Sequence, residues 1–155
     1  MRLVRHAHAG RVPVLGVCLG AQLVAHALGG RAVPGPSPEE CVAPVRLTEA
    51  GKGDPVVGHL DGARVLHLHG DTFVRPPGAA LLASSARYEE QAFRLGATTY
   101  GVQFHAEATP ALVQRMAPED EDLHRAAKEH EAELDRVADG VALGFASLVR
   151  QKLRR

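Results

Sequence analysis

The sequence predicts one α/β domain, and three observations carry that expectation. The 155 residues are 45% hydrophobic and 23% charged, as expected of a single soluble globular domain. Residues 13–17 (PVLGV) form a short apolar run that leads through a small-residue turn straight into a helical pattern, which is how a βα unit reads. Further on, short β-type runs punctuated by turn residues give way to helix, so strands and helices share one chain.

Each element follows from local pattern. Residues 1–9 read as the second half of an amphipathic helix, with Leu3, Val4 and Ala7 as its apolar side and Gly10 as its stop. The strand at 13–17 is apolar on both faces, as a central strand of a parallel sheet is. Such a strand needs neighbours on both sides, yet almost nothing precedes it, so the expectation is a domain truncated at its N-terminus. Residues 19–28 form a helix with Leu19, Leu23, Val24, Ala27 and Leu28 near one face, closed by Gly29-Gly30.

The Pro- and Gly-rich stretch 33–38 predicts a loop. Strands follow at 43–48, 63–68, 80–85, 91–95 and 100–104, separated by Gly51-Lys52-Gly53-Asp54-Pro55, Asp61-Gly62, Pro76-Pro77-Gly78 and Gly96. Thr109-Pro110 pairs an N-cap with proline at the first helical position, opening a helix to about residue 116. Pro118 starts another, with Glu119 to Asp122 in the first turn, where the helix dipole favours acids. Its apolar stripe is Leu123, Ala127, His130, Leu134 and Val137. A final helix carries Val141, Phe145, Leu148 and Val149 and ends in Lys152, Arg154 and Arg155. The expected organisation is a core over 1–116 and a helical extension over 117–155 packed on or near it.

Composition narrows the function. Eighteen basic residues balance eighteen acidic ones, so no net field draws nucleic acid or an anionic membrane. Aromatics make up 4%, with no Trp, which argues against base stacking. No apolar run reaches the ~18 residues of a membrane span, and no signal-peptide apolar region opens the chain. Cys18 and Cys41 sit in unlike contexts and suggest no disulfide framework, so a cytoplasmic location is expected.

The chemistry concentrates in two segments. Gly16-Val17-Cys18-Leu19-Gly20-Ala21-Gln22 has the form of a nucleophile elbow, with the reactive residue at the apex of a tight strand-to-helix turn. Glycines on either side suit a turn that brings backbone close to its neighbours. A thiol at a helix N-terminus meets partial positive charge that favours thiolate, and the Leu19 N–H is placed to donate to an oxyanion. The second segment, Gly101-Val102-Gln103-Phe104-His105-Ala106-Glu107, ends a strand in a histidine with a carboxylate two residues on, a base with its orienting group. The C-terminal ends of strands are where open α/β sheets place their sites.

Taken together, GVCLGAQLVAHALGG, LHGDTF and YGVQFHAEAT resemble the three signature segments of the class I, triad-type glutamine amidotransferases, in particular glutaminase domains related to that of GMP synthase. The resemblance runs through most of the chain in the family's order. It implies a flavodoxin-like, open, mostly parallel sheet with helices on both faces. It also implies hydrolysis of the glutamine amide through a γ-glutamyl thioester, with no cofactor. By the same resemblance Cys18 is the nucleophile, His105 the base and acid, and Glu107 the group orienting His105. Leu19 and Gly20 form the oxyanion turn, Gln22 falls at a glutamine-contacting position, and His69, Gly70 and Asp71 line the glutamine pocket.

Two departures stand out. Ala106 replaces the family's proline between histidine and glutamate. The family's opening strands, with the glycine-rich loop giving a second oxyanion donor, have no counterpart before Cys18; losing one such donor typically costs ~10²–10³ in rate.

The remaining candidates read blandly. His6/His8 and His67/His69 are i, i+2 pairs, but zinc sites usually need three or four ligands. The first pair lies on a helix, where that spacing does not converge, and no metal is expected. Cys41 reads as an incidental thiol, His26 as a packing residue, and Glu119 to Asp122 as a solvated helix start. With no ATP loop in the sequence, ammonia would pass to a separate synthetase, or the protein acts on its own. Two rival readings stand beside the glutaminase. One is a γ-glutamyl hydrolase or related cysteine amidase on the same scaffold; the other is a non-catalytic interaction subunit.

Overall fold

The structure is a computed structural model that describes residues 1–154; Arg155, expected to end the last helix, lies outside them. Among the described residues the order is α1 (Arg2–Ala9), β1 (Val14–Val17), α2 (Leu19–Ala27), β2 (Arg31–Pro44), β3 (Arg46–Leu47), α3 (Glu49–Lys52), β4 (Arg64–Val74), β5 (Ala80–Ser84), β6 (Ala92–Leu95), β7 (Thr99–Val102), α4 (Pro110–Met116), α5 (Glu121–Glu129) and α6 (Glu131–Leu153). The main sheet runs β1-β7-β6-β5-β3, and β2 with β4 forms a separate ribbon. No helix among the described residues is long and apolar enough to cross a membrane.

The α/β class holds, with a mixed sheet. β1 pairs parallel to β7 with Val17 opposite Val102, and the three remaining pairings, β3 with β5, β5 with β6 and β6 with β7, are antiparallel. The reason lies in the connections. Only Gly96 to Thr98 link β6 to β7, enough for a hairpin but far too short for the crossover that parallel strands require.

Both faces of the sheet are covered, which explains the apolar character of β1. Val14 packs with Ala21, Val24 and Ala25 of α2 and with Phe93. Leu15 and Val17 pack into a different core, of Tyr100, Val102, Val137 and Val141. The strand therefore serves both clusters, with α1 and α2 on one face of the sheet and α6 on the other. A third cluster joins Leu66 of the ribbon to Val113, Leu123, Ala127 and Leu134, so the C-terminal helices pack on the core.

Two sequence expectations are corrected. Residues 33–38 are not a loop but part of β2, with Pro34 opposite Asp71 and Glu39 opposite His69. The residues between them bulge out of register, held by Arg87 donating to the Pro38 carbonyl at 3.1 Å and by Tyr88 donating to that of Ser37. Prolines are tolerated there because, among the described residues, the outer edge of the ribbon has no strand partner. The second correction concerns His130, which is not mid-stripe in one helix. It caps the end of α5 and the start of α6, with φ −104° and ψ 15°. This break lets Leu123 and Ala127 face the ribbon while Val137 and Val141 face the sheet. Gly140, by contrast, lies inside α6, where a Cβ would overlap the His59 ring.

Candidate active site

Cys18 sits between β1 and α2 with φ 51° and ψ −111°, a backbone conformation that non-glycine residues rarely adopt. Its N–H donates to the Val102 carbonyl at 2.8 Å, and its carbonyl accepts from Ala21 at 2.9 Å and Gln22 at 3.2 Å. The strained residue is therefore locked on both sides, by the sheet and by the helix it opens. The expected role of the glycines is met by Gly16, where a Cβ would overlap the Gly20 carbonyl, whereas a Cβ on Gly20 meets open space. Leu19 and Gly20 occupy the first turn of α2, where N–H groups have no intrahelical acceptor.

The chain continues past Val102 of β7 toward the second half of the site. The Gln103 N–H donates to the Gln91 carbonyl at 2.8 Å and the His105 N–H to the Leu66 carbonyl at 2.9 Å, so the ribbon fixes where His105 stands. His105 Nδ1 lies 2.8 Å from Glu107 Oε1. Since a carboxylate only accepts, Nδ1 carries the proton, leaving Nε2 as the reactive nitrogen. Nε2 is buried with no hydrogen-bond partner. Burial depresses the imidazole pKa, but the Cys18 sulfur and the Glu107 carboxylate outweigh it and push the pKa up to about 9. Burial raises the pKa of Glu107 itself, yet its bond to His105 leaves it below the ordinary carboxylate value. The structure thus brings the three sequence-predicted residues together from opposite ends of the core.

Gln22 is buried and donates to Gln103 Oε1 at 3.3 Å. Gln103 in turn points Nε2 at Cys18 Sγ, 3.7 Å away. Sequence reasoning missed Gln103, although an amide two residues before His105 in an apolar strand is a readable signal. The Leu68 carbonyl also faces Cys18 Sγ, at 3.9 Å. The other expected pocket residues are placed differently. His69, Gly70 and Asp71 belong to β4, and Gly70 and Asp71 are exposed. The His69 ring contacts Glu39, the Asp71 carbonyl and Tyr88. Burial works against the Glu39 carboxylate, but His67, His69 and Ser85 hold its pKa well below the usual range.

This fold and site define an α/β protein with a cysteine, a histidine and a carboxylate gathered at the ends of two parallel strands. The model of the class-I glutamine amidotransferase family matches residues 1–121, and the chain belongs to that family. It is 34% identical over 115 residues to the glutamine amidotransferase-like protein YfeJ of Salmonella typhimurium, covering 74% of this chain and 48% of that protein. It is 37% identical over 100 residues to a glutamine-hydrolyzing GMP synthase subunit of Saccharolobus solfataricus, covering 63% and 52%. The chain thus spans about half the length of these two relatives. A crystal structure of a glutamine amido transferase from Methylobacillus flagellatus superposes with a TM-score of 0.84 at 28% identity, covering 95% of this chain and 67% of the other.

Proposed function

We propose that the chain hydrolyses the side-chain amide of glutamine through a thioester on Cys18. The observation that carries this reading is the strained Cys18 at the mouth of α2, together with a histidine whose Nδ1 is held by Glu107. His105 Nε2 takes the thiol proton of Cys18 as its sulfur attacks the amide carbon, forming the C–S bond. The resulting oxyanion is met by the free N–H groups of the first turn of α2. His105 gives its Nε2 proton to the departing nitrogen, the C–N bond breaks and ammonia leaves. Water then attacks the γ-glutamyl thioester, His105 takes its proton, and the C–S bond breaks to release glutamate. Gln103 steadies the sulfur between turnovers. The ammonia goes to a separate synthetase, a reading supported by the relative that is one subunit of a GMP synthase.

A second reading is favoured by a neighbouring groove. Leu68, whose carbonyl faces Cys18, also lines a cavity of about 660 Å³ with Glu40, Glu119, Asp120, Glu121 and Asp122. An acidic groove suits a γ-glutamyl amide whose leaving group is cationic, as in a γ-glutamyl amidase.

The test is the intact mass of the purified chain after exposure to diazo-oxo-norleucine, a glutamine-like electrophile. A single adduct on Cys18, blocked by excess glutamine and absent from Cys18→Ser, is expected. A folded chain that takes no adduct overturns both readings. Blocking by a γ-glutamyl polyamine but not by glutamine selects the second. In turnover assays Cys18→Ala is expected to lose activity by at least about 10⁴-fold.

A further inference from the structure

A buried polar cluster on the β2–β4 ribbon takes no part in the chemistry proposed above. His67 and His69 are two apart on β4, so their side chains leave the same face, and the register sets Glu39 directly opposite His69. Glu39 Oε2 lies 3.3 Å from His67 Nδ1 and 3.2 Å from His69 Nε2. The ligand atoms these three residues offer all fall within 4.8 Å of one another, and each side chain is at most 3% exposed.

The outer nitrogens explain the inner ones. His69 Nδ1 is 3.0 Å from the Asp71 carbonyl and His67 Nε2 is 3.3 Å from that of Ala43. Carbonyls only accept, so the outer nitrogens carry the N–H groups. In the neutral rings the inner nitrogens then aim lone pairs at a carboxylate, and His67 Nδ1 has no hydrogen-bond partner. Glu39 is held from behind, with Ser85 Oγ donating to Oε1 at 2.8 Å and Gln91 Nε2 to Oε2 at 2.7 Å. Three acceptor atoms facing one another away from water are unfavourable unless a positive charge lies between them, either a proton on an imidazole or a metal ion.

We propose that Glu39, His67 and His69 form a binding site for one divalent transition ion of the zinc class. Two imidazoles and one carboxylate suit that chemistry, whereas calcium and magnesium take oxygen ligands. Glu39 Oε2 stands 3.2–3.3 Å from each of the two ring nitrogens, the spacing that two bonds of ~2.0–2.1 Å make at a near-tetrahedral angle, while the nitrogens lie within 4.8 Å of each other. Backbone carbonyls on the outer nitrogens are the partners that fix the tautomer of a ligating histidine. The ion is structural: it staples β2 to β4 beside the bulge and fixes Leu68, which lies between the two histidines and faces Cys18. The site stands whether or not Cys18 hydrolyses glutamine.

The test uses the full chain with Cys18→Ser and Cys41→Ser, so that no thiol competes for metal. After chelation and dialysis, Zn²⁺ is titrated by calorimetry and Co²⁺ by visible absorption. One equivalent is expected, with a tetrahedral Co²⁺ spectrum and a raised melting temperature. Glu39→Gln and His67→Asn should each weaken binding by at least about tenfold, while His6→Asn leaves it unchanged. No stoichiometric binding by the thiol-free chain overturns the proposal, whatever the variants do. So does binding of full strength in folded Glu39→Gln.

Discussion

Glu107 is the residue at which charge and orientation separate most cleanly. Its carboxylate holds His105 Nδ1 at 2.8 Å and helps raise the histidine from an ordinary 6.5 to about 9. A pKa raised in the folded state means that the protonated histidine stabilises the fold fully below 6.5, and that this contribution fades as pH climbs through about 9. The lowered pKa of Glu107 acts the other way, its contribution fading as pH falls below the ordinary 4.5. Glu107→Gln removes one of the two partners that raise the histidine. The alkaline limb of the pH profile of the proposed glutamine hydrolysis should therefore move toward acid, and kcat should fall by about 10²–10⁴-fold, since a misoriented base loses most of its value. An unmoved limb would show that Glu107 does not orient His105. Gln103 allows a finer test. Gln103→Leu keeps the volume but removes the bond to Cys18 Sγ and leaves Gln22 unpaired, so kcat should drop more than KM rises, while Gln103→Glu, which keeps an acceptor for Gln22, should bind glutamine normally. These residues differ in how they could be read. Cys18, His105 and Glu107 lie in contiguous motifs, whereas the bridge from Gln22 to Gln103 forms only when β1 and β7 pair.

At the scale of elements, the elbow shows how backbone contact governs sequence. A Cβ at Gly16 would meet the Gly20 carbonyl and the Ala21 nitrogen, backbone atoms that move only if the first turn of α2 unwinds. Gly16→Ala should therefore cost about 1–3 kcal/mol, as overpacking does. Gly20→Ala, facing open space, should leave the melt within about 0.5 kcal/mol of the parent; equal losses at both positions would refute the steric account. The elbow was legible because strand, turn and helix are neighbours in sequence. The ribbon was not. Its prolines and glycines read as loop, and the partner that makes them a strand, β4, begins only at Arg64, well after β2 ends at Pro44. The same separation hid Glu39, which joins His69 only through cross-strand register. The break at His130 was hidden for a different reason: apolar spacing continues through it, and the change of direction answers to two separate surfaces, the ribbon and the sheet.

The whole molecule carries an asymmetry that follows from β1. Val14 and Cys18 donate their N–H groups to Thr98 and Val102 of the β7 side, so the alternating N–H groups of Leu15 and Val17 point the opposite way. Among the described residues β1 is the end strand of the sheet, and PVLGV offers no charge to discourage pairing. An apolar, unpaired parallel edge is a template for another strand. Covered faces and an open edge are separate properties: α2 and α6 bury the side chains of β1, while no described strand occupies its outer backbone. Self-association is therefore expected to rise with concentration across the range of about 1 µM to 1 mM, measured by sedimentation velocity. Leu15→Pro deletes an edge N–H without touching a bond to β7, so it should shift the equilibrium to monomer if the chain still folds. The concentration series on the parent chain decides the matter independently. A monodisperse monomer throughout would mean that the half-buried flank of β1 is already shielded by α1, and that Cys18 stands at the end of a sheet whose edge is closed to other chains.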